Sequence, residues 1–221
     1  MVLDHLDFEL FAGDRIGLVA PNGSGKTTLF HLIMGLVKPE SGKVEAFGQV
    51  LESEEDFAMV RRKIGLLFQD ADDQLFSPTV LEDVAFGPLN LGKSRREAIE
   101  ISRRILAFLG LEGFEERVTI KLSGGEKRLV SLATVLAMEP EVLLLDEPTT
   151  GLDNDIRRTL IKVLQRLEMT MVVISHDFDF LDQVTRRIFS LENGRILTDE
   201  QVHFHVHRHA HKMGRAPHRH H

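Results

Sequence analysis

The sequence predicts an α/β fold built on a mostly parallel sheet, and three observations carry that prediction. Short runs of β-branched and aliphatic residues alternate with segments of helical period, the pattern of strand–helix–strand units. A glycine-rich stretch, "APNGSGKTT" (residues 20–28), stands between one such run and a helical segment. Between Gln69 and about Ala137 the pattern changes to amphipathic helices, which predicts an inserted helical subdomain.

In chain order, "RIGLVA" reads as a buried strand, and "TTLFHLIMGLV" as a helix that ends near Lys38-Pro39. "KIGLLFQ" is a second strand. "SRREAIEISRRILAFLGL" carries charged and apolar faces at helical spacing, and "GGEKRLVSLATVLAM" is another helix. The strand "EVLLLDE", the helix "NDIRRTLIKVLQRLE" and the strand "TMVVISH" follow. "RIFSLENGRIL" reads as a hairpin, because Asn-Gly supplies the positive φ angles of a tight turn. The expected organisation is one domain over residues 1–200, with the helical subdomain at about 70–137, and a histidine-rich tail at 201–221.

With 221 residues the chain has room for one large domain or a core with an insertion. It has no cysteine, which excludes disulfides and thiolate metal sites and suits a reducing cytoplasm. No apolar run reaches the ~18 residues of a membrane span. The start, "MVLDHLDFEL", carries acidic residues and no basic segment, so a secretory signal is not expected. Charge is unevenly placed. Arg208, Lys212, Arg215 and Arg219 lie in the tail, which leaves 23 basic against 34 acidic side chains, a net of −11, in the first 200 residues. That acidic body argues against a nucleic-acid partner.

The glycine-rich loop is a phosphate-binding pattern in a strand–loop–helix context. Backbone N–H groups of Asn22, Gly23, Ser24 and Gly25 and the start of the following helix would face an anion, where the helix dipole favours negative charge. Lys26 would reach the β- and γ-phosphates, Thr27 would ligate Mg²⁺, and Thr28 continues the helix start. The pattern's first glycine is replaced by Ala20, a change that costs little at negative φ and about 1 kcal/mol at positive φ. The aliphatic run Val142–Leu145 carries Asp146 and Glu147 to a strand end, where Asp146 would organise Mg²⁺ and Glu147 would polarise an attacking water. His176 closes the next strand, so it falls on the same sheet edge and would donate a hydrogen bond to the γ-phosphate.

"LSGGEKR" (122–128) makes the pattern specific. Together with "GSGKTT", Gln69, "LLLDEPTTGLD" and His176 in this order, the chain resembles the ATP-binding subunit of an ABC transporter over roughly residues 2–198. The resemblance implies a phosphate-loop NTPase core with the inserted helical subdomain, ATP and Mg²⁺ as ligands, and ATP hydrolysis. It implies that Gln69 senses the γ-phosphate and Mg²⁺, and that two chains (two copies, or this chain and a paralogue) pack head to tail. Ser123, Gly124 and Gly125 would then bind the γ-phosphate of the opposite subunit, and Asp153 would link the two sites. Integral membrane subunits would be the transport partners, with this chain on the cytoplasmic face of the membrane.

"FQDADDQLFSPTVLEDVAFGPLNLG" (68–92) is most similar to the cobalt/nickel ATPases of the energy-coupling-factor importers. There, apolar residues such as Leu75, Phe76 and Val80 would line a groove for a coupling helix. A vitamin importer of the same architecture, a soluble non-transport ABC ATPase and a nucleotide-binding regulator remain alternatives. Members of the family begin some twenty residues earlier, with an aromatic residue that stacks on adenine. This chain has no Tyr and no Trp, which leaves His5, Phe8 and Phe11 as substitutes. Weak, poorly purine-selective nucleotide binding is expected, to be checked by comparing ATP and GTP affinities.

In the tail, His203, His205, His207, His209 and His211 alternate with other residues. Period two keeps neighbours off one helical face, but an extended chain can wrap several imidazoles around one ion. Nitrogen donors suit Ni²⁺ or Co²⁺ and equally Zn²⁺ or Cu²⁺. His218, His220 and His221 add further donors. A native metal-binding tail and a tag or compositional drift are both open readings.

Overall fold

The computed structural model describes residues 3–21 and 23–197. Its centre is a six-stranded sheet. The strands are β1 (Arg15–Val19), β4 (Ile64–Leu67), β5 (Val142–Asp146), β6 (Thr170–Ile174), β7 (Arg187–Glu192) and β8 (Arg195–Leu197), in the order β4-β5-β6-β1-β7-β8. The first five strands in that order run parallel, and β8 returns antiparallel beside β7. The turn between them puts Asn193 and Gly194 at positive φ, as the Asn-Gly dipeptide predicts. A short separate hairpin pairs β2 (Glu45–Ala46) with β3 (Gln49–Val50).

Both faces of the sheet are covered, which is why its strands read as continuous apolar runs rather than alternating ones. Alternate side chains still go opposite ways. Leu143, Leu145, Met171 and Val173 join a core with α5 (Gly124–Leu136), α6 (Asn154–Arg166) and α7 (Phe178–Val184). Ile16, Leu18, Leu144, Val172 and Ile174 pack with α1 (Lys26–Ile33) and α2 (Glu54–Val60). Between β4 and β5 the chain inserts α3 (Val80–Asn90) and α4 (Arg95–Phe108), which pack on each other and on α5. Ser53, Thr79, Ser94 and Ser123 each open a helix with a capping box, in which an acid three residues on returns a bond to the cap.

Two expectations are corrected. The first helix stops at Ile33 rather than near Lys38-Pro39, because Gly35 turns left-handed and the Leu36 N–H bonds back to the His31 carbonyl at 2.8 Å. A Cβ at Gly35 would also stand 2.3 Å from the Phe57 ring. Val80 is fully buried and belongs to the core rather than to an open groove, and Leu75 packs partly against the same core. Phe76 remains exposed, in edge-to-face contact with Phe86 at 4.8 Å, with Leu89 exposed on the same helix as Phe86. The loop before α3 is organised by buried Asp83, which accepts from the N–H groups of Phe76 and Ser77 and from the Thr119 hydroxyl.

Candidate nucleotide-binding site

Strand order sets the site. Four parallel strands, β4, β5, β6 and β1, all end at one sheet edge, so the segments that follow them meet there. These are Phe68–Gln69 after β4, Asp146–Glu147 at the end of β5, Ser175–His176 after β6 and the glycine loop after β1.

Gly23 and Gly25 adopt φ of 80° and 98°, values that a side chain resists, and Gly25 is the N-cap of α1. Ala20 is absent from the positive-φ positions and is buried, so the alanine meets no backbone penalty. Asn22 lies outside the described residues. The Ser24 hydroxyl is buried and has no hydrogen-bond partner among the described residues.

A buried ion pair with an exposed imidazole beside it crosses the edge. Lys26 Nζ donates to Glu147 Oε1 at 2.9 Å, and the other carboxylate oxygen of Glu147 meets His176 Nδ1 at 2.9 Å. Glu147 is 3% exposed and sits at φ 45°, a left-handed strain typical of functional positions. Beside it the Thr27 hydroxyl donates to Asp146 Oδ2 at 2.8 Å, while Asp146 Oδ1 is buried with no partner among the described residues. Burial pushes the Asp146 carboxyl above its usual range; the Thr27 bond works against this and the neighbouring charge of Glu147 adds to it. A carboxylate oxygen and a hydroxyl, one orphaned and the other adjacent, form a hard-oxygen donor set that fits Mg²⁺. The cation of Lys26, released from Glu147, fits a phosphate.

The remaining predicted residues sort into two groups. Gln69 is exposed at the end of β4, two residues past the register pair Leu67–Leu145. Ser123, Gly124 and Gly125 begin α5, and Asp153 caps α6 by accepting from the N–H groups of Asp155 and Ile156. The two helix starts are packed together, since a Cβ at Gly125 would lie 2.9 Å from Ile156 Cγ1. Of the candidate adenine platforms, Phe8 packs on the core and Phe11 turns into β1 at the end opposite the phosphate loop. His5 is exposed beside Asp4, whose N–H reaches Gly194 at the β7–β8 turn. The histidines of the tail, His203 to His211, lie outside the described residues. Among the described residues no His, Asp or Glu cluster of metal-binding geometry occurs, and no helix is long and apolar enough to cross a membrane.

Sequence reasoning gave no role to Arg128, which is buried and donates to the carbonyls of Phe68, at 2.6 Å, and of Gln69. Its signal was a cation on the apolar face of the α5 segment. Gln74 adds a second clasp, accepting from the Phe68 N–H and donating to the Ser131 carbonyl and the Thr134 hydroxyl.

A sequence model of the ABC transporter family matches residues 3–150. A putative ABC transporter ATP-binding protein of Nitratidesulfovibrio vulgaris is 52% identical over 219 residues, covering 99% of this chain and 80% of that protein. The energy-coupling factor transporter ATP-binding protein EcfA of Methanothermobacter thermautotrophicus is 41% identical over 201 residues, 89% of this chain and 65% of its own length. Among solved structures, CbiO1 from Clostridium perfringens, part of the ABC transporter complex CbiONQ, superposes with a TM-score of 0.78 at 34% identity, covering 89% of this chain and 80% of that one. A dimeric ATP-binding cassette in a post-hydrolysis state with ADP and Pi gives 0.80 at 28% identity, covering 88% of each. The shared fold, the converging phosphate-loop and carboxylate residues and these likenesses place the chain in the ABC transporter family, as one of its ATP-binding, ATP-hydrolysing subunits.

Proposed function

We propose that this chain energises import of a transition metal ion, nickel or cobalt, through an energy-coupling-factor transporter. The observation that carries its catalytic part is the array Thr27–Asp146 and Lys26–Glu147–His176 at one sheet edge, in which Lys26, Asp146 and Glu147 are buried. Lys26 exchanges Glu147 for the β- and γ-phosphates of ATP, joined by the backbone donors of residues 22–25 and by Thr28 at the helix start. Thr27, Asp146 and Gln69 hold Mg²⁺, which neutralises charge on the transferred phosphoryl group. Glu147, freed from Lys26, orients and polarises the attacking water, while His176 donates to the γ-phosphate. A second copy of the chain, head to tail, supplies Ser123, Gly124 and Gly125 to that phosphate, and Asp153 lies between the two sites.

The domain over residues 1–200, with its helical subdomain at about 70–137, acts as the moving part, peripheral to the cytoplasmic face of the membrane. The exposed surface of Phe76, in the loop before α3, and of Phe86 and Leu89 on α3 receives the integral membrane subunits. Two features support an energy-coupling transporter and a metal cargo. The relatives include EcfA and CbiO1. The tail offers His203, His205, His207, His209 and His211 as Ni²⁺ or Co²⁺ ligands. The alignment with the Nitratidesulfovibrio protein covers 99% of this chain, so it extends into the tail.

Cellular nickel and cobalt contents test the reading, measured with the native gene, with Glu147→Gln and with a chain ending at Glu200. A several-fold loss of one metal with Glu147→Gln supports transport and names the cargo; a smaller loss with the shortened chain assigns the tail a part in it. Unchanged contents of both metals with Glu147→Gln reject metal import.

A further inference from the structure

Nucleotide chemistry alone leaves the charge at the start of α5 unexplained. An anion docks at a helix N-terminus because the first N–H groups and the dipole are free to meet it. Here a carboxylate already stands at that end. Glu126 accepts the Ser123 N–H at 2.8 Å and the Ser123 hydroxyl at 2.9 Å, both on Oε2. Those two bonds are the main reason its carboxyl is held below the usual range, so it is ionised at neutral pH. An unopposed charge there repels a phosphate brought to Ser123–Gly125.

Arg117 meets the other oxygen, with Nη1 2.9 Å from Glu126 Oε1. Its guanidinium lies 3.5 Å from the centre of the Phe114 ring. Its backbone is tied at both groups: the N–H to the Phe114 carbonyl at 2.9 Å, and the carbonyl to the Val80 N–H at 3.1 Å. The adjacent cation on α5, Lys127, is engaged with Asp72 instead. Arg117 is therefore the cation that faces the Glu126 carboxylate from a fixed position.

We propose that Arg117 is a positioning residue for the phosphate site completed by the second subunit. By offsetting the charge of Glu126 it makes the Ser123–Gly125 end of α5 acceptable to the γ-phosphate bound across the interface. The proposal rests on the two-subunit site described above. In the free chain the pair is partly exposed, and such pairs contribute little to folding. Its effect belongs to the moment when an anion is brought against α5 and water is excluded.

The test is the ATP dependence of turnover by the full chain. Arg117→Met keeps a stem against Phe114 and removes the charge. It is expected to raise the half-saturating ATP concentration about tenfold, roughly 1.4 kcal/mol, with the melting temperature unchanged. Adding Glu126→Gln removes the repelling charge and keeps a capping side chain, so the double variant returns to within about twofold of the parent. A double variant as impaired as Arg117→Met alone overturns the proposal, because the role is then structural. So does an unchanged half-saturating concentration in Arg117→Met when Ser123→Ala raises it. If Ser123→Ala has no effect either, the two-subunit site itself is rejected.

Discussion

At the end of β5, Asp146 is 3% exposed, accepts from the Thr27 hydroxyl on one oxygen and leaves the other without a partner among the described residues. Burial raises its carboxyl above the usual value. The folded chain then binds more protons than the unfolded chain between the two pKa values. Stability from this group falls as pH rises through that window. Asp146→Asn is expected to raise the melting temperature of the nucleotide-free protein at pH 7, by about 2–4 °C for each ~1 kcal/mol of burial cost relieved in a chain of this size. The gain should vanish in acid, where the carboxyl is protonated in both states. Turnover should fall by about two orders of magnitude or more, because the Mg²⁺ ligand is lost. Calorimetry that shows no gain at pH 7 would count against this account of a site whose charge is held for a ligand.

Such residues were legible in the sequence where chemistry demands one residue type at one spacing, as in Gly23 to Thr27 or the acids after Val142–Leu145. The Lys26–Glu147 pair was not, because it joins positions 121 apart in sequence and is set by strand order.

Among the elements, α5 does the most. Its start carries Ser123–Gly125, its buried face carries Arg128 under the Phe68 and Gln69 carbonyls, and Gln74 fastens the same loop to its middle. Burial lowers the Arg128 pKa, while the charges of Asp70 and Asp146 oppose the shift; the group stays protonated. The segment that carries Gln69 and the helix proposed to carry the second phosphate-binding end are thus tied together. Arg128→Met keeps most of the volume but leaves carbonyls unpaired, at about 1–3 kcal/mol. We expect a melting temperature lower by several degrees and turnover down about tenfold, with half-saturating ATP changed much less. An equal rise in half-saturating ATP would indicate lost binding rather than lost coupling.

The long helices α4, α5 and α6 and the strands β1, β4, β5 and β6 were legible from period alone. α2 and α3 escaped although Ser53-x-x-Asp56 and Thr79-x-x-Glu82 announce their starts. They are short, and α3 carries Gly87 and Pro88, which blur the apolar stripe. The overlong first helix has a local cause: its apolar spacing continues past Gly35, but that glycine reverses the backbone.

At the scale of the whole molecule, the proposed function gives one chain two half-sites: the phosphate loop with its carboxylates, and the start of α5. Within the chain the Asp153 and Ser123 caps are held together through Gly125 and Ile156. A partner that seats ATP against Ser123 therefore also contacts the start of α6. Under the function proposed above, each nucleotide is enclosed only when two chains meet, and an ATP-dependent dimer is the expected consequence. Sequence motifs named both halves, but their joining is a property of two chains.

The most direct test is the solution mass of the full chain carrying Glu147→Gln, which should bind ATP and hydrolyse it poorly. The account predicts monomer without nucleotide, dimer with two ATP bound when Mg–ATP is added, and monomer again when Ser123→Ala is introduced. A monomer that binds ATP with no change in mass, or a dimer indifferent to both nucleotide and Ser123, would contradict it.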